Sequence, residues 1–211
     1  MKLPRIPGLG AGLPGLETTL ALARRCRYER EHTHHVTGLA LRLFDRLQEL
    51  HGLGQPERGW LIYASLLHDI GWIEGRKGHH KTALRLILED NSLPLDDRQR
   101  RIVALVARYH RKAAPSREHE LFVALRKADR QVVRILAALL RVADGLDRMH
   151  ASAVRDVRCQ VTACEVVIRC EVAGDAQEDI AAAEKKGDLL EDVFRRKVVL
   201  EAAPVGNSCR K

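Results

Sequence analysis

Aromatic residues are scarce: Trp, Tyr and Phe make up 4% of the 211 residues, and none alternates with basic side chains. A surface that stacks single-stranded bases needs that interleaving, so nucleic acid is not an expected partner. No apolar run is long enough to span a bilayer, and no membrane association is expected. The five cysteines form no C-x-x-C pair, which argues against a disulfide or zinc framework. Cys159, Cys164 and Cys170 lie in strand-like sequence and are expected as half-buried thiols in a reducing compartment. The opening stretch, MKLPRIPGLGAGLPGLE, is rich in Pro and Gly and lacks the continuous apolar core of a secretory signal. Residues 1–16 are therefore expected to be a flexible leader, and the protein to be cytoplasmic.

What is present is a hydrophobic fraction of 45%, enough for one good core. Lys and Arg number 36 against 28 acidic residues, a net charge of +8. That excess favours anionic partners such as phosphorylated small molecules or polyphosphate. An Arg-rich solvated surface would give the same number.

Helical periodicity dominates to about residue 150. A short helix is expected over Glu17–Arg27. Val36, Leu39, Leu43 and Leu47 recur at helical spacing, and His32 heads their stripe. Gly52 and Gly54 end that helix, and Pro56 suits the first turn of the next. This one runs through Leu61, Ala64 and Leu67 to His68-Asp69, with Gly71 as the expected stop. Further helices are expected from about His80 to Glu89 and along the stripe Ile102, Leu105, Val106, Tyr109, which finishes at His110. Asp96 or Asp97 is the candidate N-cap. A long helix spans roughly Asp129–Met149 with Val133, Ala137, Leu140 and Asp144 along one side. After His150 the sequence VRDVRCQVTACEVVIRCEVAG alternates as two strands and a tight turn. EDIAAAEKKGDLLEDVF reads as helix and KVVLEA as strand. The expected fold is mainly α, a helical bundle over 17–153, then a small β-β-α-β appendage over 154–201 and a disordered tail over 202–211.

The candidates for chemistry are His32, His68, Asp69, His79, His80, His110 and Asp144, at helix ends or in stripes of different helices. No compact motif joins them, so packed helices must assemble any site. Asp144 is the physical oddity, because an ionised carboxylate in an apolar stripe costs several kcal/mol unless paired or metal-bound. A cation held by Asp144, Asp69 and two imidazoles removes that penalty for all of them. The plainer reading pairs Asp144 with Arg141 or Arg148. His34 and His35 are expected on the surface, and His51, His119 and His150 have no assigned role.

The spacing His32 … His68-Asp69 … Asp144 resembles the HD superfamily of metal-dependent phosphohydrolases. EHTHHVTGLALRLFD, LLHDIG, GHHK, RYHR and ALLRVADGLDRMH resemble the C-terminal HD region of the exopolyphosphatase/guanosine-pentaphosphatase family, as do the trailing strands. The resemblance implies that His32, His68, Asp69 and Asp144 hold a metal, with Asp69, beside His68, bridging or orienting the catalytic water. His79, His80 and His110 match the additional histidines that hold a second metal. His79 lies four residues before Ala83, in a position similar to the ligand of related patterns. One or two divalent ions are implied, and mixed N/O ligation suits Mn, Fe, Ni, Co or Zn better than Mg. Lys81, Arg111 and Lys112 directly follow candidate ligands and could hold phosphates. The expected activity is hydrolysis of a phosphoester or phosphoanhydride in a nucleotide-like or polyphosphate substrate. The alternative is a non-catalytic, regulatory module that binds polyphosphate or a nucleotide. In the two-part family, the resemblance implies, phosphate-chain hydrolysis belongs to an N-terminal actin-like module. Here it would fall to the HD centre, and a homodimer is suggested by similarity.

Overall fold

The structure, a computed structural model, describes residues 13–205. Most of the expected leader and tail lies outside the described residues. Where the two meet the described chain they are folded. Helix α1, Leu16–Arg25, starts one residue before Glu17. The Tyr63 hydroxyl donates to the carbonyl of Pro14, and residues 202–204 belong to a strand.

Helix α2, Arg30–Arg46, buries Val36, Leu39 and Leu43 together with His32, as its periodicity requires. A single turn, α3 (Gln48–His51), ends on Gly52 at φ 66°. In α4, Gln55–Leu67, the Gly54 amide donates to the Glu57 carboxylate at 2.9 Å. This helix stops before His68, earlier than expected, and Gly71 sits inside a following 3-10 turn, Ile70–Glu74. The reason for that glycine is a close approach. A Cβ at Gly71 would lie 2.0 Å from the carbonyl oxygen of His79, the first residue of α5 (His79–Glu89). Helix α6, Asp97–Arg108, is capped by Asp96, which accepts from the Gln99 amide at 2.8 Å, while Gln99 reaches back to the Asp96 amide, a reciprocal capping box. One turn, α7 (Glu120–Val123), leads to α8, Lys127–Gly145.

Helices α2, α4, α6 and α8 pack against one another, and α5 with the 3-10 turn lies against α6. Leu39, Leu61, Leu67, Ile102, Val106, Leu136 and Leu140 fill the interior and are fully buried.

The appendage is a three-stranded sheet of order β1-β2-β3, formed by Val154–Val161, Glu165–Val172 and Lys197–Pro204. β1 and β2 are antiparallel, with Val161 opposite Val166. β3 returns parallel to β2, so a crossover is needed. The crossover expected as one helix breaks at Gly187 into α9 (Gln177–Lys186) and α10 (Asp188–Phe194). Val154, Val157, Val166, Ile168 and Cys170 join the core of the bundle, while β1 lies on α2 and α9 on α8. The sheet therefore extends the bundle's core.

Contrary to expectation, the thiols are not uniformly half-buried: Cys170 is buried, Cys159 partly so and Cys164 exposed, and all three are free. Burial pushes Cys159 and Cys170 up to about 12, which leaves them unreactive. Among the described residues, no helix is long and apolar enough to cross a membrane.

Candidate metal centre

Five helix ends meet at one point. His32 stands in the first turn of α2 and His79 opens α5. His68 and Asp69 follow the last residue of α4, His110 lies just past α6, and Asp144 is the next-to-last residue of α8. Adjacent residues within a helix diverge by about 100°. At Asp69 the backbone leaves the helix (φ −107°, ψ 6°), and so His68 and Asp69 can both turn toward one place. All four histidines are 2% exposed or less.

The ligand atoms form two groups, His32–His68–Asp144 and Asp69–His79–His110, each with its atoms within 4.8 Å of one another. Asp69 joins them. Its Oδ2 lies 3.6 Å from His68 Nε2 and 3.9 Å from His32 Nε2. Its Oδ1 lies 3.0 Å from His79 Nε2 and 3.4 Å from His110 Nε2. Asp144 turns Oδ1 to the first group, 3.5 Å from His32 Nε2 and 3.7 Å from His68 Nε2.

Each histidine is also held from behind. Nδ1 of His68, His79 and His110 faces the backbone carbonyl of Ser65 (2.7 Å), Arg76 (2.9 Å) and Ala107 (2.6 Å). A carbonyl only accepts, so these Nδ1 atoms carry the proton and Nε2 offers its lone pair to the cluster. His32 Nδ1 meets the Asp147 carboxylate at 2.8 Å. The buried Nε2 atoms of His32 and His68, and Asp69 Oδ1, have no hydrogen-bond partner. His79 Nε2 and His110 Nε2 face each other at 3.4 Å, where two lone pairs would repel without a cation or proton between them. Oriented rings, orphaned inward atoms and two carboxylates are what a metal ion requires.

The charges in the cluster reinforce one another. Burial alone would lower His32, but the nearby Asp144, Asp147 and Asp69 carboxylates lift it to about 10. At His68 burial again lowers, and Asp69 and Asp144 outweigh it to raise the pKa. His110 has less such help, and burial takes it down to about 3. Burial would raise Asp69, yet His68, His79 and His110 hold it below the ordinary carboxylate range. Asp144 is held low too, chiefly by Lys186 against the effect of burial.

That lysine stands where the plainer alternative for Asp144 had placed Arg141 or Arg148. Lys186, at the end of α9, donates to Asp144 Oδ2. Arg141 instead donates to the carbonyls of Tyr109 and Lys112 and to Asp188. His34 and His35 are half-buried rather than on the surface, with His34 bonded to the Tyr28 hydroxyl at 2.9 Å.

The structure brings His32, His68, Asp69, His79, His110 and Asp144 together, and leaves His80 outside both groups. The His80 ring is 6.0 Å from that of His79, and burial followed by the His79 and Arg111 charges lowers it to about 4. Arg111 reaches His79 Nε2 at 3.4 Å. With Lys112, Arg148 and Lys186 it lines a cavity of about 250 Å³ over Asp69 and Asp144. Lys81 is exposed and does not line that cavity. A larger cavity of about 510 Å³, by Leu13, Trp60, Tyr63 and Pro94, has no histidine or carboxylate in its wall and offers no comparable chemistry.

Sequence reasoning missed four participants. Asp147 follows Asp144 by three residues, a spacing that places both on one side of the chain. His150, left without a role, stacks on His32 with centroids 3.8 Å apart and planes 3° from parallel. Its φ of 56° is unusual for a non-glycine residue and has no sequence signal. Trp72 lines the cavity and keeps a buried indole N–H without a partner. Lys186 arrives from the appendage, and nothing local in the sequence marks it.

A family model described as Ppx/GppA phosphatase, domain III, matches residues 16–180, well over half of the chain. Among curated proteins, no match is found.

Proposed function

Because the chain belongs to the Ppx/GppA phosphatase domain III family, we propose that it is an HD-type, metal-dependent phosphohydrolase. Its substrate class would be a phosphoester or phosphoanhydride of a nucleotide-like molecule or polyphosphate. The observation that carries this reading is Asp69, whose two oxygens face two separate groups of ligand atoms. Such a carboxylate can bridge two cations. His32, His68 and Asp144 would hold one, His79 and His110 the other, and Mn, Fe, Co, Ni or Zn suits this N/O set better than Mg. When bound, such ions lower the pKa of water and neutralise phosphoryl charge.

The protein's own groups do the rest. Asp147 fixes the His32 ring, and His150 covers its face and keeps bulk water off it. Arg111 and Lys112 lie where they can hold phosphoryl oxygens by charge-assisted hydrogen bonds. Lys81 is a further phosphate-holding candidate, on the exposed side of α5.

Elemental analysis of protein purified without chelator, followed by a phosphoester and phosphoanhydride screen with the metal found, tests the proposal. About two transition-metal ions per chain together with turnover are expected. Metal without turnover would favour the binding-module reading, and no metal even after incubation with Mn, Fe or Ni would make the histidines structural. Asp147→Asn removes the negative acceptor behind His32 and should weaken the first ion about 10–100-fold, measurable by competition with a chelating dye. Unchanged affinity would remove Asp147 from the site.

Metal binding should also depend on pH with a defined sign. Without metal, His32 holds its proton up to about pH 10, so a cation at Nε2 must displace it. Affinity then rises with pH, roughly tenfold per unit for one released proton. Calorimetry in two buffers of different ionisation heat counts that proton. Zero protons released would exclude His32 as a ligand.

A further inference from the structure

The metal-centre reading leaves one contact unexplained. Asp144 divides its oxygens, with Oδ1 toward His32 and His68 and Oδ2 on the ammonium of Lys186. All other ion-pair partners of Asp69 and Asp144 given by the described residues are histidines. Among the described residues, Lys186 is therefore the only lysine or arginine paired with either of these two carboxylates.

Its position is built in from the appendage. Gly145, next to Asp144, faces Ala183 so closely that a Cβ there would lie 2.5 Å from the Ala183 Cα. This seam locks α9 to α8, and Lys186 lies three residues beyond it, above Asp144. The same side chain lines the cavity beside Arg111, Lys112 and Arg148 and is 21% exposed, which leaves it room to turn.

We propose that Lys186 is an exchangeable counter-ion, neutralising Asp144 until a divalent cation arrives and then turning into the cavity to hold a phosphoryl oxygen. The physical case is competition for one carboxylate. A buried Asp144 needs a positive partner. A divalent ion on Oδ1 supplies twice the charge and repels the ammonium a few ångströms away. The displaced ammonium then finds its next partner in an anion beside the metal. The sheet appendage thus contributes to the site, and cation and phosphate bind in an ordered way. This inference rests on the proposed metal centre.

The experiment is calorimetric titration of metal-free wild type, Lys186→Met and Lys186→Arg with Mn²⁺, then titration of each Mn-loaded protein with inorganic phosphate. Lys186→Met should bind Mn²⁺ about tenfold more tightly and phosphate about tenfold more weakly, while Lys186→Arg keeps phosphate affinity near wild type. A purely structural lysine gives the opposite pattern, with Mn²⁺ affinity unchanged or reduced and phosphate affinity untouched. That result overturns the proposal and leaves the metal centre standing. Failure of wild type itself to bind Mn²⁺ would overturn both. Gly145→Ala, which displaces α9 without deleting the lysine, should weaken phosphate binding as Lys186→Met does. Unweakened phosphate binding in that folded variant would also count against the proposal.

Discussion

Asp69→Ala protein should keep its helical far-UV signature and emerge from purification with almost no transition metal. Asp69 is the one carboxylate facing both groups, 3.6 Å from His68 Nε2 through Oδ2 and 3.0 Å from His79 Nε2 through Oδ1. In the proposed centre, its loss would take a ligand and a negative charge from each cation at once. The remaining imidazoles then compete for metal with the help of Asp144 alone, which already shares its charge with Lys186. Changes in outer-shell partners alone typically cost 10–100-fold, so loss of a carboxylate that faces both groups should lower hydrolysis by at least about 10²-fold. Asp69→Asn, which preserves shape and removes charge, should behave in the same way. The fold survives because Asp69 lines the cavity and fills no part of the apolar core. Wild-type metal content and turnover in Asp69→Ala would refute the site.

Gly71→Ala should destabilise the fold and disturb the candidate metal centre together. The nearest atoms to its Cβ would all be backbone of α5: the His79 carbonyl oxygen at 2.0 Å and the Ala83 nitrogen at 2.8 Å. Backbone cannot rotate away as a side chain does, so α5 must shift from the 3-10 turn. Overpacking of this kind costs about 1–3 kcal/mol. The specific consequence is at His79, which opens α5 and moves with it away from Asp69. Metal content should fall by about one ion per chain, because His32, His68 and Asp144 come from other helices and stay in place. Elemental analysis and a thermal melt separate the two effects. His79→Ala should lose the same ion with a smaller drop in melting temperature. Full metal content in Gly71→Ala would show that this close approach does not seat His79.

Much of the fold was legible because its signals are local. Val36, Leu39 and Leu43 mark one helix face, and the alternation around Val157 and Ile168 marks two strands. The splitting of the crossover at Gly187 and the early end of α4 were not, since helix ends depend on what packs beside them. Cysteine burial was misread for a related reason. Cys164 reads as a strand residue in sequence, yet it falls in the turn between β1 and β2 and is exposed, whereas Cys170 lies on β2 and joins the core.

At the site, the residue types and their spacing were enough to nominate His32, His68, Asp69, His110 and Asp144, because each stands at the end or on the inner stripe of a recognisable helix. Three things required the tertiary structure. Which of two adjacent histidines turns inward depends on how α5 leans on the 3-10 turn at Gly71. The division of Asp69 between two groups depends on the crossing of five helix ends. Lys186 and His150 reach the cluster from the far side of the sheet connection and from a left-handed residue. What the sequence by itself determined is the set of helices and the chemistry they carry. What the tertiary structure alone decided is which atoms converge, since convergence depends on contacts between residues that are 30 to over 100 positions apart and leave no periodic trace along the chain.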